Sequence, residues 1–174
     1  MARPDVRPTG QERTFQPDEI IVSKTDLKGI ITYANDVFIR VSGYGEEELL
    51  GQPHNLIRHP DMPRCVFKLL WDTLGQGQEV FAYVVNLARN GDHYWVLAHV
   101  TPVYGPGGAI VGYHSSRRVP TRAAVEKATG LYAALRAEEA KHASPKDGMA
   151  AAGAMLHAIL RDKGTTYDEF VFSL

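Results

Sequence analysis

Short apolar runs rich in β-branched residues alternate with turn residues along the first two thirds of the chain. Glu19–Ser23 and Ile30–Ala34 flank the turn sequence Asp26–Gly29, and this arrangement predicts a β-hairpin. Three longer runs of the same kind follow at Val80–Leu87, His93–Tyr104 and Ala109–Arg117. Because Asn90-Gly91 in the first connection is a strong signal for a tight turn, these runs predict an antiparallel meander.

Apolar residues at helical spacing predict the helices that surround these strands. Asn35 opens a short helix that ends near Gly43, a residue type favoured just after the last helical turn. A longer apolar stripe from Pro63 to Leu74 predicts the main helix, with Asp61 as its N-cap.

The composition changes after Pro120, where Ala, Glu, Lys and Arg become frequent. The spacing of apolar residues there predicts one helix over residues 121–142 and a second over about 147–162. A short apolar tail, Tyr167–Phe172, follows them.

Together these elements predict an α+β fold, a five-stranded antiparallel sheet with short helices on one face, plus C-terminal helices. Such a half-open arrangement leaves a cavity between sheet and helices in which a planar ligand fits. The predicted boundaries are an N-terminal extension over 1–18, a folded domain over 19–120 and a helical C-terminal extension over 121–174.

The composition and the motifs argue against several classes of partner and of site. The net charge of −1 argues against nucleic acid, because no basic excess is present to neutralise phosphates. No apolar run approaches the roughly 20 residues of a membrane span, and the N-terminus lacks the apolar stretch of a signal peptide. The single cysteine, Cys65, excludes an intrachain disulfide and fits the reducing cytoplasm. Neither a zinc motif nor a nucleophile motif occurs, so we expect no metal site and no enzymatic activity.

The segment Gln52–Pro63 contains two His, an Arg, an Asp, an Asn and three Pro. The prolines restrict the backbone, so Arg58, His59 and Asp61 are presented from a stiff loop, as is common for groups that contact a ligand. Each also has a plainer interpretation. Arg58 is then a solvated surface residue, His59 bonds a neighbouring carbonyl, and Asp61 caps the helix that follows.

Three other positions have the same two interpretations. Asn86 lies in the otherwise apolar segment Tyr83–Leu87, where a buried amide needs partners that a ligand or a neighbouring side chain must supply. Asn35 is either a ligand contact or an ordinary N-cap. Trp71 and Trp95 are expected in the core more than in stacking contacts.

Six segments carry a resemblance to a known family: Val22–Leu27, Tyr33–Asp36, Val41–Tyr44, Gly51–Asn55, Arg58–Pro63 and Arg89–Val96. Over about residues 19–120 the chain is similar to the sensory PAS domains of bacterial aerotaxis receptors. The run from Gly51 to Pro63 together with residues 90–96 is specific to that subfamily, whereas a generic PAS domain shares only scattered positions.

The resemblance implies the PAS fold and a noncovalently bound FAD. It implies flavin-binding or signalling roles at Asn35, Arg58, His59, Asp61 and Asn86, with Phe67, Trp71 and Tyr94 as weaker candidates for cavity walls. An aerotaxis receptor has a tryptophan at the start of the third strand, where this chain has Glu79-Val80-Phe81. In the related light-sensing LOV domains a cysteine occupies the position of Leu56, so we expect no light-driven cysteine adduct.

The implied function is a cytoplasmic FAD-binding sensor of redox state or oxygen that signals in aerotaxis or a related pathway. Aerotaxis receptors continue into membrane-anchor and kinase-control modules, so this chain is expected to signal through a partner such as a chemoreceptor or a kinase-control module. The apolar stripe at 125–135 either forms a homodimer or folds back on its own domain. Two alternatives stay open: a haem sensor with His54 or His59 as axial ligand, and a cofactor-free interaction or dimerisation module.

Overall fold

The computed structural model describes residues 6–174, and in them five strands form one antiparallel sheet. The strands are β1 (Ile21–Thr25), β2 (Ile31–Ala34), β3 (Val80–Leu87), β4 (His93–Tyr104) and β5 (Ile110–Arg118). Their order is β2-β1-β5-β4-β3, so β2 and β3 are the edge strands. The predicted hairpin and meander are confirmed, and the bounds of β3 and β4 match the prediction.

The helices lie between β2 and β3 and after β5. They are α1 (Asp36–Ser42), α2 (Glu46–Leu49), α3 (Arg64–Gly75), α4 (Arg122–Ala140), α5 (Pro145–Lys163) and α6 (Tyr167–Ser173), with a 3₁₀ helix at His54–Ile57. The helix α1 begins after Asn35, whose side-chain oxygen accepts a hydrogen bond from the Phe38 amide at 3.0 Å. It ends at Gly43, where φ is 74°, a value that favours glycine.

The N-cap prediction for α3 is wrong, and α6 is a helix that the spacing of apolar residues did not indicate. The N-cap position of α3 is Pro63, and the Asp61 side chain pairs instead with Arg136 of α4, at 2.5 Å between Oδ1 and Nη1. The predicted apolar tail is the helix α6, which starts in a capping box formed by Thr166 and Glu169. The Thr-x-x-Glu spacing before an apolar run was the available signal for this helix.

The core lies between the inner face of the sheet and the helices α1 and α3. The helix α1 packs against β1, and α3 packs against β3 and β4. Phe38, Leu74 and Val96 are fully buried there, and each contributes on the order of 1.5–3 kcal/mol to folding. This packing closes one end of the space between α3 and the sheet.

The free edge of β3 is covered by the loop before α3 and by α4. The Tyr132 hydroxyl donates to the Tyr83 carbonyl at 2.5 Å, and the Val85 amide donates to the Met62 sulfur at 3.4 Å. These contacts satisfy edge groups that otherwise attract foreign strands. They also attach the loop and α4 to the same strand.

The helix α4 folds back on its own chain. Val125, Ala128 and Leu135 are buried in the main core, and α5 packs against α4 and α3. Of the two alternatives for the stripe at 125–135, the structure therefore has the fold-back.

The segment before β1 lies along the β3–β4 turn. The Thr9 amide donates to the Gly91 carbonyl at 2.8 Å, and Arg13 pairs with Asp92 at 3.0 Å. Phe15 is buried in the core. From Thr9 onward this segment covers the domain, while residues 1–5 of the predicted extension 1–18 lie outside the described residues.

Candidate functional site

A cavity of about 660 Å³ lies between the inner face of the sheet and the segment from the 3₁₀ helix to α3. This size is typical of small-molecule sites, about 300–1,000 Å³. One wall is the face of α3 that carries Phe67, Leu70, Trp71 and Leu74 at helical spacing. The sheet supplies the opposite wall, in which apolar residues surround a few polar ones. These polar or charged wall residues include Ser23, His54, Arg58, Asn86, Ser115 and Arg117.

Asn86 lies on the cavity side of the edge strand β3. The residue is 4% exposed, and its side-chain amide hydrogen-bonds to no residue in the described part of the chain. A buried amide offers two donors and one acceptor oxygen, and leaving them unpaired is costly. The arrangement suits a ligand edge on which donors and acceptors alternate.

Arg58 lies beside Asn86 because their backbones form an antiparallel bridge. Its guanidinium carbon is 4.2 Å from the centre of the Phe67 ring, and Nη2 donates to the Met62 carbonyl at 3.5 Å. The stacked ring and the carbonyl hold a half-buried cation in the cavity wall.

Trp71 is part of the cavity wall and is 42% exposed, so the expectation of a core position is wrong for this residue. Its ring meets Tyr113 of β5 edge to face, with centroids 5.4 Å apart. Trp95, in contrast, is buried and stacks on Tyr132 of α4 at 6.1 Å. The two aromatic rings of Trp71 and Tyr113 offer an exposed apolar surface to a planar ligand.

A buried polar chain that the sequence did not reveal forms part of the sheet wall. Arg117 of β5 is 2% exposed and donates from Nη2 to the Ser23 hydroxyl at 2.5 Å. The Ser23 oxygen is in turn 3.0 Å from Nε2 of His54. Ser23 accepts from Arg117, and its hydroxyl donates to His54 when the neutral imidazole carries its proton on Nδ1.

Burial and the positive charge of Arg117 lower the pKa of His54 from 6.5 to about 3. Folding therefore favours the neutral ring, and the unfolded chain binds a proton that the folded one does not. We expect stability to fall as the pH drops from about 6.5 toward 3, by at most about 1.4 kcal/mol per pH unit from this residue. Urea unfolding of His54→Gln between pH 4 and pH 8, about the range of that titration, checks this.

His54→Gln is expected to lose less stability than the wild type over that range. The matched control is His157→Gln, since His157 is exposed on α5 and lies away from the cavity described above. Equal slopes in His54→Gln and the wild type contradict the assignment.

Four of the sequence-predicted site residues lie outside the cavity wall. The Asn35 amide is fully engaged as the cap of α1 and in bonds to the backbone of Val22 and Ile20. Asp61 is exposed and pairs with Arg136. The contacts of Asn35 are thus those of a helix cap, and the ion pair of Asp61 joins the loop to α4.

His59 and Tyr94 are buried next to the cavity region but are not part of its wall. Nδ1 of His59 accepts a hydrogen bond from the Asp61 amide at 3.0 Å, which shapes the loop. The Tyr94 hydroxyl is fully buried without a hydrogen-bond partner among the described residues, and burial raises its pKa above the usual range. The structure thus brings together Arg58, Phe67, Trp71 and Asn86 and separates them from the other four.

Cys65 is buried on α3, outside the cavity wall, and burial beside Glu139 raises the pKa of its thiol to about 12. A thiol in this state is a poor nucleophile. Among residues 6–174 no cluster of three or more His, Cys, Asp or Glu side chains is arranged for a metal ion. Every helix in that range is also too short or too polar to cross a lipid bilayer.

The sheet order, the helices on one face and the half-open cavity define an α+β domain with a candidate small-molecule site. The profile of the PAS fold matches residues 20–115, more than half of the chain, and the chain belongs to the PAS family. The predicted fold and the resemblance are thereby confirmed.

Particular relatives are found by sequence. The chain is 45% identical to the aerotaxis receptor of Escherichia coli over 129 residues, which are 74% of this chain and 25% of the receptor. It is 36% identical to the nitrogen fixation regulatory protein of Klebsiella pneumoniae over 99 residues, 57% of this chain and 20% of that protein. The chain thus spans about a quarter or less of these relatives.

Solved structures agree on the fold. The LOV domain of the blue-light photoreceptor Aureochrome1 superposes with a TM-score of 0.56 at 22% identity, covering 63% of this chain and 88% of that one. A light-oxygen-voltage domain studied with a flavin analogue superposes with a TM-score of 0.54 at 19% identity, covering 71% of this chain and 87% of that one.

Proposed function

We propose that this chain is a PAS sensor that binds FAD and reports redox state or oxygen to a signalling partner in the cytoplasm. The observation that carries the proposal is the unpaired, buried amide of Asn86 in the wall of an aromatic-sided cavity. The 45% identity to an aerotaxis receptor supports flavin as the ligand and energy taxis, or a related pathway, as the process.

The wall residues fit a flavin in both shape and chemistry. Trp71 and Tyr113 offer ring faces, while Asn86 offers donors and an acceptor to the polar edge of a heterocycle. Exposed Lys28, Arg64 and Lys68 also line the cavity, where they suit the pyrophosphate. When bound, FAD supplies reversible electron uptake, and the chain holds and orients it.

We further propose that the loop before α3 transmits the state of the cavity to α4. Arg58 bridges to Asn86 at the cavity, and three residues later Asp61 pairs with Arg136 of α4. A second link joins the Cys65 amide to the Glu139 carboxylate at 2.9 Å. A ligand that interacts differently with the loop in its two redox states therefore biases how α4 is held. In this proposal residues 19–120 form the sensor domain and 121–174 the output extension.

An absorption spectrum of the purified protein tests the ligand. The visible bands of oxidised flavin are expected, and their bleaching by dithionite shows that the bound ligand is reducible. A Soret band identifies a haem sensor instead, and a protein that stays colourless after refolding with FAD is a cofactor-free module. Either result overturns the proposal.

Arg58→Ala is expected to weaken FAD binding by about tenfold, the effect of losing one charge-assisted contact. If Arg58 faces the phosphates, binding of riboflavin, which has none, changes by less than about threefold. Fluorescence titration of the apoprotein with both ligands measures this difference. Arg40→Ala is the control, because Arg40 pairs with Glu19 at the surface away from the cavity. Equal losses for FAD and riboflavin contradict a phosphate contact.

A further inference from the structure

Arg117 places a positive charge inside the domain without a carboxylate beside it. Among the described residues it forms no ion pair, and only its bond to Ser23 and the Phe38 ring, 4.5 Å from the guanidinium carbon, offset its burial. The Nε and Nη1 atoms are buried and have no hydrogen-bond partner in the described part of the chain. An unpaired buried cation costs several kcal/mol, so a chain that keeps one is expected to use it.

The charge persists at neutral pH, and it lies in the wall of the cavity. Burial lowers the pKa of Arg117 only to about 10. Ala98 is its register partner on β4, and Ala82 is in turn the partner of Ala98 on β3. Ala98 and Arg117 both form part of the cavity wall, so the guanidinium lies at the side of the sheet that a ligand would face.

The cations of the cavity wall differ in exposure, and Arg58 among them is half-buried against the Phe67 ring. Lys28, Arg64 and Lys68 are exposed, so they meet phosphates that stay hydrated. Arg117 is enclosed with the neutral imidazole of His54, where the low dielectric strengthens its interaction with any negative charge on the ligand. The groups of a flavin ring that suit a cation in the cavity wall are the carbonyl and nitrogen acceptors of its pyrimidine edge.

We propose that Arg117 binds this acceptor edge and favours the reduced flavin over the oxidised one, an inference that rests on the proposed binding of FAD. Reduction by an external donor, dithionite in the test, adds two electrons and one proton to the neutral ring. The proton adds at N5, and one negative charge remains on the acceptor edge. The oxidised ring carries no net charge, so the cation stabilises the reduced state more. Arg117 thus sets the potential at which the sensor responds.

The matched variants are Arg117→Met, Arg117→Lys and the control Arg118→Met, whose side chain is exposed on the next residue of β5. Arg117→Met is expected to bind oxidised FAD within about threefold of the wild type and reduced FAD at least about tenfold more weakly. For a two-electron couple, each tenfold loss of affinity for reduced FAD relative to oxidised FAD lowers the midpoint potential by about 30 mV. The midpoint potential of Arg117→Lys is expected to lie close to that of the wild type, and the midpoint potential of Arg118→Met is expected to equal it. Dye-coupled titration of each loaded protein measures the potentials.

A wild-type measurement can overturn the inference even where Arg117→Met does not fold or retain FAD. If reduction takes up one proton per two electrons, the midpoint potential falls by about 30 mV per pH unit. A pH unit is a tenfold change in proton activity, and for a two-electron couple a tenfold change corresponds to about 30 mV. A slope twice as large shows a neutral reduced ring and overturns the inference, as does an unchanged potential in Arg117→Met. In both cases FAD is still bound, whereas a wild-type protein that never takes up FAD refutes the proposed function itself.

Discussion

Asn86→Leu is expected to weaken FAD binding by about 30- to 100-fold, or about 2–3 kcal/mol. Leucine has the branched side-chain skeleton of asparagine, with methyl groups in place of the amide nitrogen and oxygen, so the polar edge of the ligand enters the cavity without partners. Removal of a buried partner costs more than the hydrogen bond itself contributes, because the ligand group is then desolvated without compensation. Fluorescence titration of the apoprotein with FAD gives the ratio of dissociation constants.

The same substitution is expected to stabilise the apoprotein by up to about 1 kcal/mol. The Asn86 amide has no partner among the described residues and is 4% exposed, so in the absence of ligand only cavity water pairs with it. Weaker FAD binding together with a more stable apoprotein indicates a ligand-binding residue. Substitution of a structural residue lowers both the affinity and the stability. Chemical unfolding of the apoprotein measures the second quantity.

Asn55→Ala is the control, because Asn55 is an exposed residue at the mouth of the same cavity. Its loss is expected to change FAD affinity by less than about threefold. Wild-type affinity in Asn86→Leu contradicts the assignment of Asn86, and an apoprotein that is less stable shows that the amide has a structural partner.

Gly148→Ala is expected to destabilise the protein by about 2–3 kcal/mol. A Cβ atom at Gly148 of α5 lies 2.4 Å from the Glu139 carbonyl oxygen of α4, a backbone atom that cannot rotate away. The helices α4 and α5 must therefore move apart, which weakens the packing of α4 against the domain. Thermal unfolding is expected to show a decrease in Tm of about 4–10 °C.

Gly153→Ala, on the same helix, is the matched control. A Cβ atom there meets nothing within 4 Å, so the only effect is the better helix propensity of alanine. That effect is expected to stabilise the protein by about 0.5–1 kcal/mol. Changes of the same sign in the two variants contradict the close approach of α4 and α5 at Gly148.

Elements with a strong local pattern were predictable. The strands β3 and β4 have the bounds that their composition and turns indicate, because alternation and the Asn90-Gly91 turn are properties of neighbouring residues. The helix α1 and its Asn35 cap follow for the same reason. The apolar run Tyr167–Phe172 is too short for its spacing to indicate the helix α6, although the Thr166 and Glu169 pair is a local signal for its start.

Residues with two plausible roles were decided by distant contacts. Asp61 satisfies the sequence rule for an N-cap, yet Arg136, which is 75 positions later, supplies a stronger partner than the helix terminus. Trp71 has the spacing of a core residue and instead lies exposed against Tyr113 of a remote strand. The order of elements along the chain does not specify which of them meet in space.

Arg117 and Arg118 show most directly that the sequence does not specify which residues become buried. Both belong to one polar run at the end of β5, and in sequence both resemble surface residues. Strand alternation requires them to face opposite sides, but only the register with β4 and β1 puts Arg117 inward, next to Ser23 and the cavity. Local patterning therefore established the strands, the main helices and, through motifs, the family. The choice of which polar groups enter the cavity depended on strand register and helix docking, because burial is a property of the assembled layers and not of any one segment.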